Sequence, residues 1–206
     1  MNDPREHDSV WCRTPGEDLA QTRFGSSERA QVFYRQQVFQ KLNDAMQRFV
    51  LKQEFVFIAT ANAKGHADSS FRAGPPGFIH ILTPTLLAYP EYRGNGVMAS
   101  VGNLLENPHV GMMFIDFFKS TIGLHVNGTA RVVDKGELAD QPEMAAAILK
   151  DSHVNGGIQP ECWVLVDVKE AYIHCSKHIP LLAKQEKSLH WGTDEERDKG
   201  GSFFQT

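Results

Sequence analysis

Between residues 55 and 175 the chain is a succession of short β-rich runs broken by Gly, Pro and Asn, and this punctuation constrains the fold more than any other feature. Phe55-Val56-Phe57-Ile58-Ala59-Thr60 is closed by Asn62-Ala63-Lys64-Gly65, which has turn chemistry, and leads into a run from 66 to 71, so the two predict a hairpin. Further runs cover 78–82, 86–89, 109–117 and 122–133. Cys162, Val164, Val166 and Val168 alternate with Trp163, Leu165 and Asp167, and 171–175 continues the pattern, which predicts a last long strand. Short connections favour antiparallel pairing. Six or seven such runs with few helices spell an all-β barrel with helical additions.

Helices are expected in three places. Ser26-Ser27-Glu28 offers an N-cap, and Val38, Leu42, Met46, Phe49 and Val50 then recur at helical spacing to about residue 51. Residues 97–106 run helically up to Asn107-Pro108, and 137–150 end in an alanine-rich turn; both are expected to cover barrel openings. This divides the chain into an arm over 1–25 that lacks periodicity, a domain over 26–183 that begins with a helix, and a polar tail over 184–206.

Composition narrows the function. A chain of 206 residues with 41% hydrophobic and 22% charged residues suits one soluble domain with a sizeable core. A formal net charge of −4 leaves no broad basic face for nucleic acid. The polar, acidic start and the lack of a run of about 20 apolar residues predict a cytoplasmic protein that does not enter membranes. Cys12, Cys162 and Cys175 are odd in number and widely spaced, as structural thiols are.

The chemistry concentrates in "DSSFRAGPPGF", residues 68–78. Ser69, Ser70 and Arg72 near a strand end would suit a phosphate group, with hydroxyl donors and a guanidinium fork. Pro75-Pro76 stiffens the backbone while Gly74 and Gly77 allow a flat ring to approach it. On local sequence the stretch reads equally as a surface turn with a solvated arginine. Arg93-Gly94-Asn95-Gly96, ahead of the helix near 97, is either an anion site at a helix start or a plain N-cap. His174-Cys175-Ser176-Lys177-His178 holds zinc-type ligands but no second paired Cys/His motif, so no metal is expected, and nothing fixes a base beside Cys175. Hydrolase elbow, Walker loop and zinc-protease signatures are absent from the sequence.

Taken in order, "FIATANAKGHADSSFRAGPPGFIHIL", "LLAYPEYRGNG", "NLLENPHVGMMFIDF", "LHVNGTARV" and "AYIHCSKH" resemble the FMN-binding split-barrel family related to pyridoxamine 5'-phosphate oxidase, over residues 50–180. The resemblance implies a mostly β fold: a six-stranded antiparallel split β-barrel of Greek-key type with helical additions. It also implies a homodimer with two FMN molecules in grooves between the subunits. By the same likeness Ser70, Arg72, Arg93, Asn95 and Gly96 fall where such proteins grip the FMN phosphate and ribityl chain. Gly74 to Gly77 and Tyr89-Pro90 fall beside the isoalloxazine. Lys177 and His178 would reach its polar edge from the other subunit, where a lysine would stabilise reduced, anionic flavin.

The departures from the family pattern are equally informative. Arg-Gly-Asn-Gly stands where the oxidases carry a Ser-Arg-Lys type phosphate loop, and Trp191-Gly192 is followed by "TDEERDKGG" instead of their substrate motif. A vitamin substrate is therefore not implied. The expectation is an FMN-dependent oxidoreductase acting on a small-molecule redox substrate. The alternatives are a non-catalytic flavin or haem binding or sensing protein, or a deazaflavin-dependent reductase of the same fold.

Overall fold

A computed structural model describes residues 13–140, 146, 148, 160–190, 193, 195 and 198. Helices α1 (Pro15–Arg23) and α2 (Ser27–Gln37) lead through a two-residue strand β1 (Val38–Phe39) into α3 (Asp44–Val50). The strands β2 (Phe55–Ala61), β3 (Ala67–Ala73), β4 (His80–Thr83) and β5 (Leu86–Glu91) follow, then α4 (Ala99–Glu106). The sheet is completed by β6 (His109–Ile115), β7 (Gly123–Val133) and β8 (Cys162–His174), with α5 (Lys135–Ala139) after β7. Among the described residues no helix is long and apolar enough to cross a membrane.

All strand pairs are antiparallel, in the order β3-β2-β6-β7-β8-β5-β4, with β1 added on β8. The mostly β, split-barrel fold class expected from the sequence is the one observed, and the sheet does not close. The described strands number eight where the resemblance implied six; the shortest, β1, pairs Val38 with Tyr172 and Phe39 with Ala171. Strand alternation puts Val56, Ile58, Val110, Met112, Phe114, Leu124 and Val126 on one face, where they form the main core with Leu87, Val164 and Val166.

The alternation read in 162–168 does not separate a buried face from an exposed one. Trp163 and Leu165 pack with Ala88, Val133, Leu138 and Ile148 in a second core cluster, so this part of β8 is covered on both faces. At Gly128 the ladder shifts register, and a Cβ there would lie 2.0 Å from the Asp167 carbonyl oxygen. Only glycine lets β7 and β8 approach this closely.

Two helical expectations change. The single helix to about 51 is broken after Gln37, because Val38 and Phe39 pair with β8 and the Leu42 N–H donates to the Pro84 carbonyl at 2.8 Å. A new helix then starts at Asn43, whose Oδ1 accepts from the Met46 N–H at 3.0 Å. Buried Val38 and Leu42 fit helical spacing and a strand-turn equally, and tertiary pairing decides. Within the segment read as an arm, Thr14 caps α1 through a capping box with Glu17. Most of the expected helix over 137–150 lies outside the described residues, as do Cys12, Trp191 and Gly192.

Candidate functional site

β3 is an edge strand, bonded only to β2 among the described strands, and its alternation sorts the opening motif onto two faces. Asp68, Ser70 and Arg72 share one face; exposed Ser69 and Phe71 share the other. On the first face the Ser70 hydroxyl donates to Asp68 Oδ2 at 2.8 Å. Ser100, buried on α4, lies 2.9 Å from Ser70 Oγ and 3.2 Å from the same Asp68 oxygen. Both serine protons are thus taken up within the cluster.

Arg72 is similarly engaged. Its Nε donates to Glu91 Oε2 and its Nη2 meets Glu91 Oε1, each at 2.8 Å, a fork-to-fork pair, while Nη1 donates to the Phe71 carbonyl. Burial pushes the Glu91 carboxyl above the usual carboxylate range, and Arg72 pulls against that rise. Next to this pair, burial and then Glu91 push the Cys162 thiol up to about 11. Tyr89 is fully buried, its hydroxyl has no hydrogen-bond partner among the described residues, and burial raises its pKa. Its ring belongs to the core, so it offers no side chain to a groove.

The Gly-Pro-Pro-Gly segment is a tight turn closed by the Phe78 N–H donating to the Pro75 carbonyl at 2.9 Å. Gly74 is required by the chain itself, since a Cβ there would sit 2.4 Å from Phe78 Cβ; Gly77 has a φ of 93°. Exposed Pro76 lines a cavity of about 980 Å³, together with Phe49, Phe55, Phe118 and Lys184. The tail crosses here: the Leu182 N–H donates to the Phe117 carbonyl, and Lys184 pairs with Glu54 over the Phe118 ring. Phe55 stacks on Phe71 at 5.5 Å and on Phe117 at 6.1 Å, and Phe57 meets Phe71 edge-on, so an aromatic face covers this side of the sheet.

Arg93, Asn95 and Gly96 form an exposed loop in which Asn95 Oδ1 accepts from the Val97 N–H at 3.0 Å. Met98, in the left-handed region at φ 54°, turns this loop into α4, which begins at Ala99. Pro90 is buried in β5 beside Tyr89. Lys177 and His178 lie exposed in a 3-10 turn after β8, and β2, β6 and β7 separate β8 from β3 in the sheet. Ser70 is grouped with α4 and Arg72 with Glu91, and among the described residues no hydrogen bond or ion pair joins either to Lys177 or His178.

Sequence reading weighed His174 only as a metal-type ligand, quoted Asp68, Glu91 and His125 within motifs without giving them a role, and passed over Ser100. His125 Nε2 lies 2.9 Å from His174 Nδ1, and the His125 ring stacks on Tyr172 at 4.7 Å. Burial, then His174, lowers the His125 pKa. The Asp68-x-Ser70-x-Arg72 alternation was a legible signal, since residues two apart share a strand face.

The family model of pyridoxamine 5'-phosphate oxidase matches residues 42–175. The curated proteins contain no match. Among solved structures, HupZ of Group A Streptococcus shares 18% identity over 64% of this chain and 93% of its own, with a TM-score of 0.49. An FMN-binding protein of Syntrophomonas wolfei shares 12% over 78% and 97%, at 0.45, and the haem storage protein HutZ of Vibrio cholerae 15% over 65% and 94%, at 0.42. With a family match over residues 42–175, which takes in every strand from β2 to β8, the chain belongs to the pyridoxamine 5'-phosphate oxidase family.

Proposed function

We propose that this protein binds a flavin, FMN, between two copies of the chain and uses it for redox chemistry on a small molecule. Family membership over residues 42–175 carries the reading, because the match includes both polar clusters beside β3 and the loop at Arg93. The aromatic face supports the dimer: Phe71 is 53% exposed on an edge strand, a surface that proteins ordinarily cover. By the family likeness, Lys177 and His178 of a second copy would complete the site that one chain leaves without them. A bound isoalloxazine supplies the electron transfer, and the chain supplies position and charge.

The His125–His174 pair supports a second reading, haem binding, since imidazole is a common axial ligand. A deazaflavin would use the same groove as FMN. The absorption spectrum of the purified protein, followed by mass analysis of whatever it releases, separates these readings. Flavin bands and released FMN are expected; a Soret band transfers the reading to haem, and a colourless protein that binds no added FMN overturns it.

A further inference from the structure

We infer that Asp68 sets the ligand preference of the polar cluster on β3: the cluster receives hydroxyl groups, such as those of a flavin's ribityl chain, and turns a phosphate away. Phosphate is an acceptor and needs donors or positive charge. Ser70 and Ser100 have one hydroxyl proton each, and both protons point at Asp68 or at the neighbouring serine, with contacts of 2.8, 2.9 and 3.2 Å. Two positions along the same face, the fork of Arg72 is closed on Glu91. Asp68, Glu91 and Arg72 together carry a formal charge of −1, so a phosphate entering here would meet committed donors and a carboxylate.

A hydroxyl ligand meets the opposite situation. Asp68 is half-buried, and its Oδ1 takes none of the serine hydrogen bonds, so it can accept a donor from a polyol. The residues expected to hold the FMN phosphate thus fit that group poorly at Ser70 and Arg72, and the exposed loop of Arg93, Asn95 and Gly96 is left as the place for it. The ligand named here rests on the flavin reading above; the carboxylate among the serines does not.

The test uses Asp68→Asn, which keeps the shape and removes the charge. FMN, riboflavin and lumiflavin, which lacks the ribityl chain, are titrated into both proteins with flavin fluorescence as the readout. Inorganic phosphate is tested separately by thermal shift. In the variant the FMN-to-riboflavin affinity ratio rises about tenfold, as removal of one nearby like charge predicts. Lumiflavin affinity stays unchanged, and phosphate raises the Tm of the variant by more than that of the wild type, whose Arg93 loop remains open to it. Ser70→Ala leaves the FMN-to-riboflavin ratio where it was, whereas a serine that grips phosphate would lower it. An unchanged ratio in Asp68→Asn, or phosphate stabilising wild type and variant alike, overturns the inference. If neither protein binds any flavin, the flavin reading fails, and the phosphate arm alone decides the role of Asp68.

Discussion

Replacing Arg72 by alanine removes the counterion of a buried carboxylate and should make the protein's stability depend on pH in a defined direction. The side chains of Arg72 and Glu91 are 19% and 10% exposed, so Glu91 loses its partner with little water to replace it. Breaking such a pair costs about 3–5 kcal/mol, and the partial exposure of Arg72 points to the lower end, about 3 kcal/mol near neutral pH. Burial already raises the Glu91 pKa in the folded protein while Arg72 opposes the rise. A folded carboxyl that holds its proton more tightly than the unfolded one contributes stability at low pH, and this is lost as pH rises through its folded value. Without Arg72 the folded value climbs further. The deficit of Arg72→Ala is therefore largest at neutral and alkaline pH, and shrinks as the pH falls and Glu91 takes up a proton. Urea unfolding across this range measures it, with Arg72→Ala/Glu91→Gln as the control that should lose most of the slope. A deficit independent of pH, or equally large in the double variant, would refute the account of this pair.

Other substitutions probe the dimer face and the sheet. Phe71→Asp should yield a monomer by sedimentation and cost about 1 kcal/mol of chain stability through the lost stacking on Phe55; a persistent dimer would place the interface elsewhere. Gly128→Ala puts a methyl group 2.0 Å from the Asp167 carbonyl oxygen and should cost about 3 kcal/mol or more, read as a lowered Tm. An unaltered Tm there would mean that the β7–β8 register can relax.

The strands were legible because alternation and turn residues are local signals. The 55–71 hairpin and the long final strand appear at nearly the expected bounds. The break after Gln37 was not legible, since Val38 and Leu42 satisfy two patterns and the partner that decides between them, β8, lies far along the chain. Helix α1 could have been found from Thr14-Pro15-Gly16-Glu17, a capping box with Pro at the first helical position. At the site, the residue types of the phosphate-like motif were visible but their commitments were not. Glu91 is 19 positions from Arg72 and Ser100 is 30 from Ser70, so the sequence could show the arginine without the carboxylate that occupies it and Ser70 without its buried neighbour, although Asp68 stood two positions away. Gly74 read as room for a ligand, whereas the structure assigns that room to Phe78.

Whether FMN sits between two copies of the chain is read by sedimentation velocity of the protein mixed with FMN, followed both in the protein band and in the visible flavin band. Flavin absorbance is expected to move with a dimer, and Phe71→Asp to release it as the dimer dissociates. Flavin that stays unbound, or that travels with a monomer, would contradict a cofactor held between two copies of this chain.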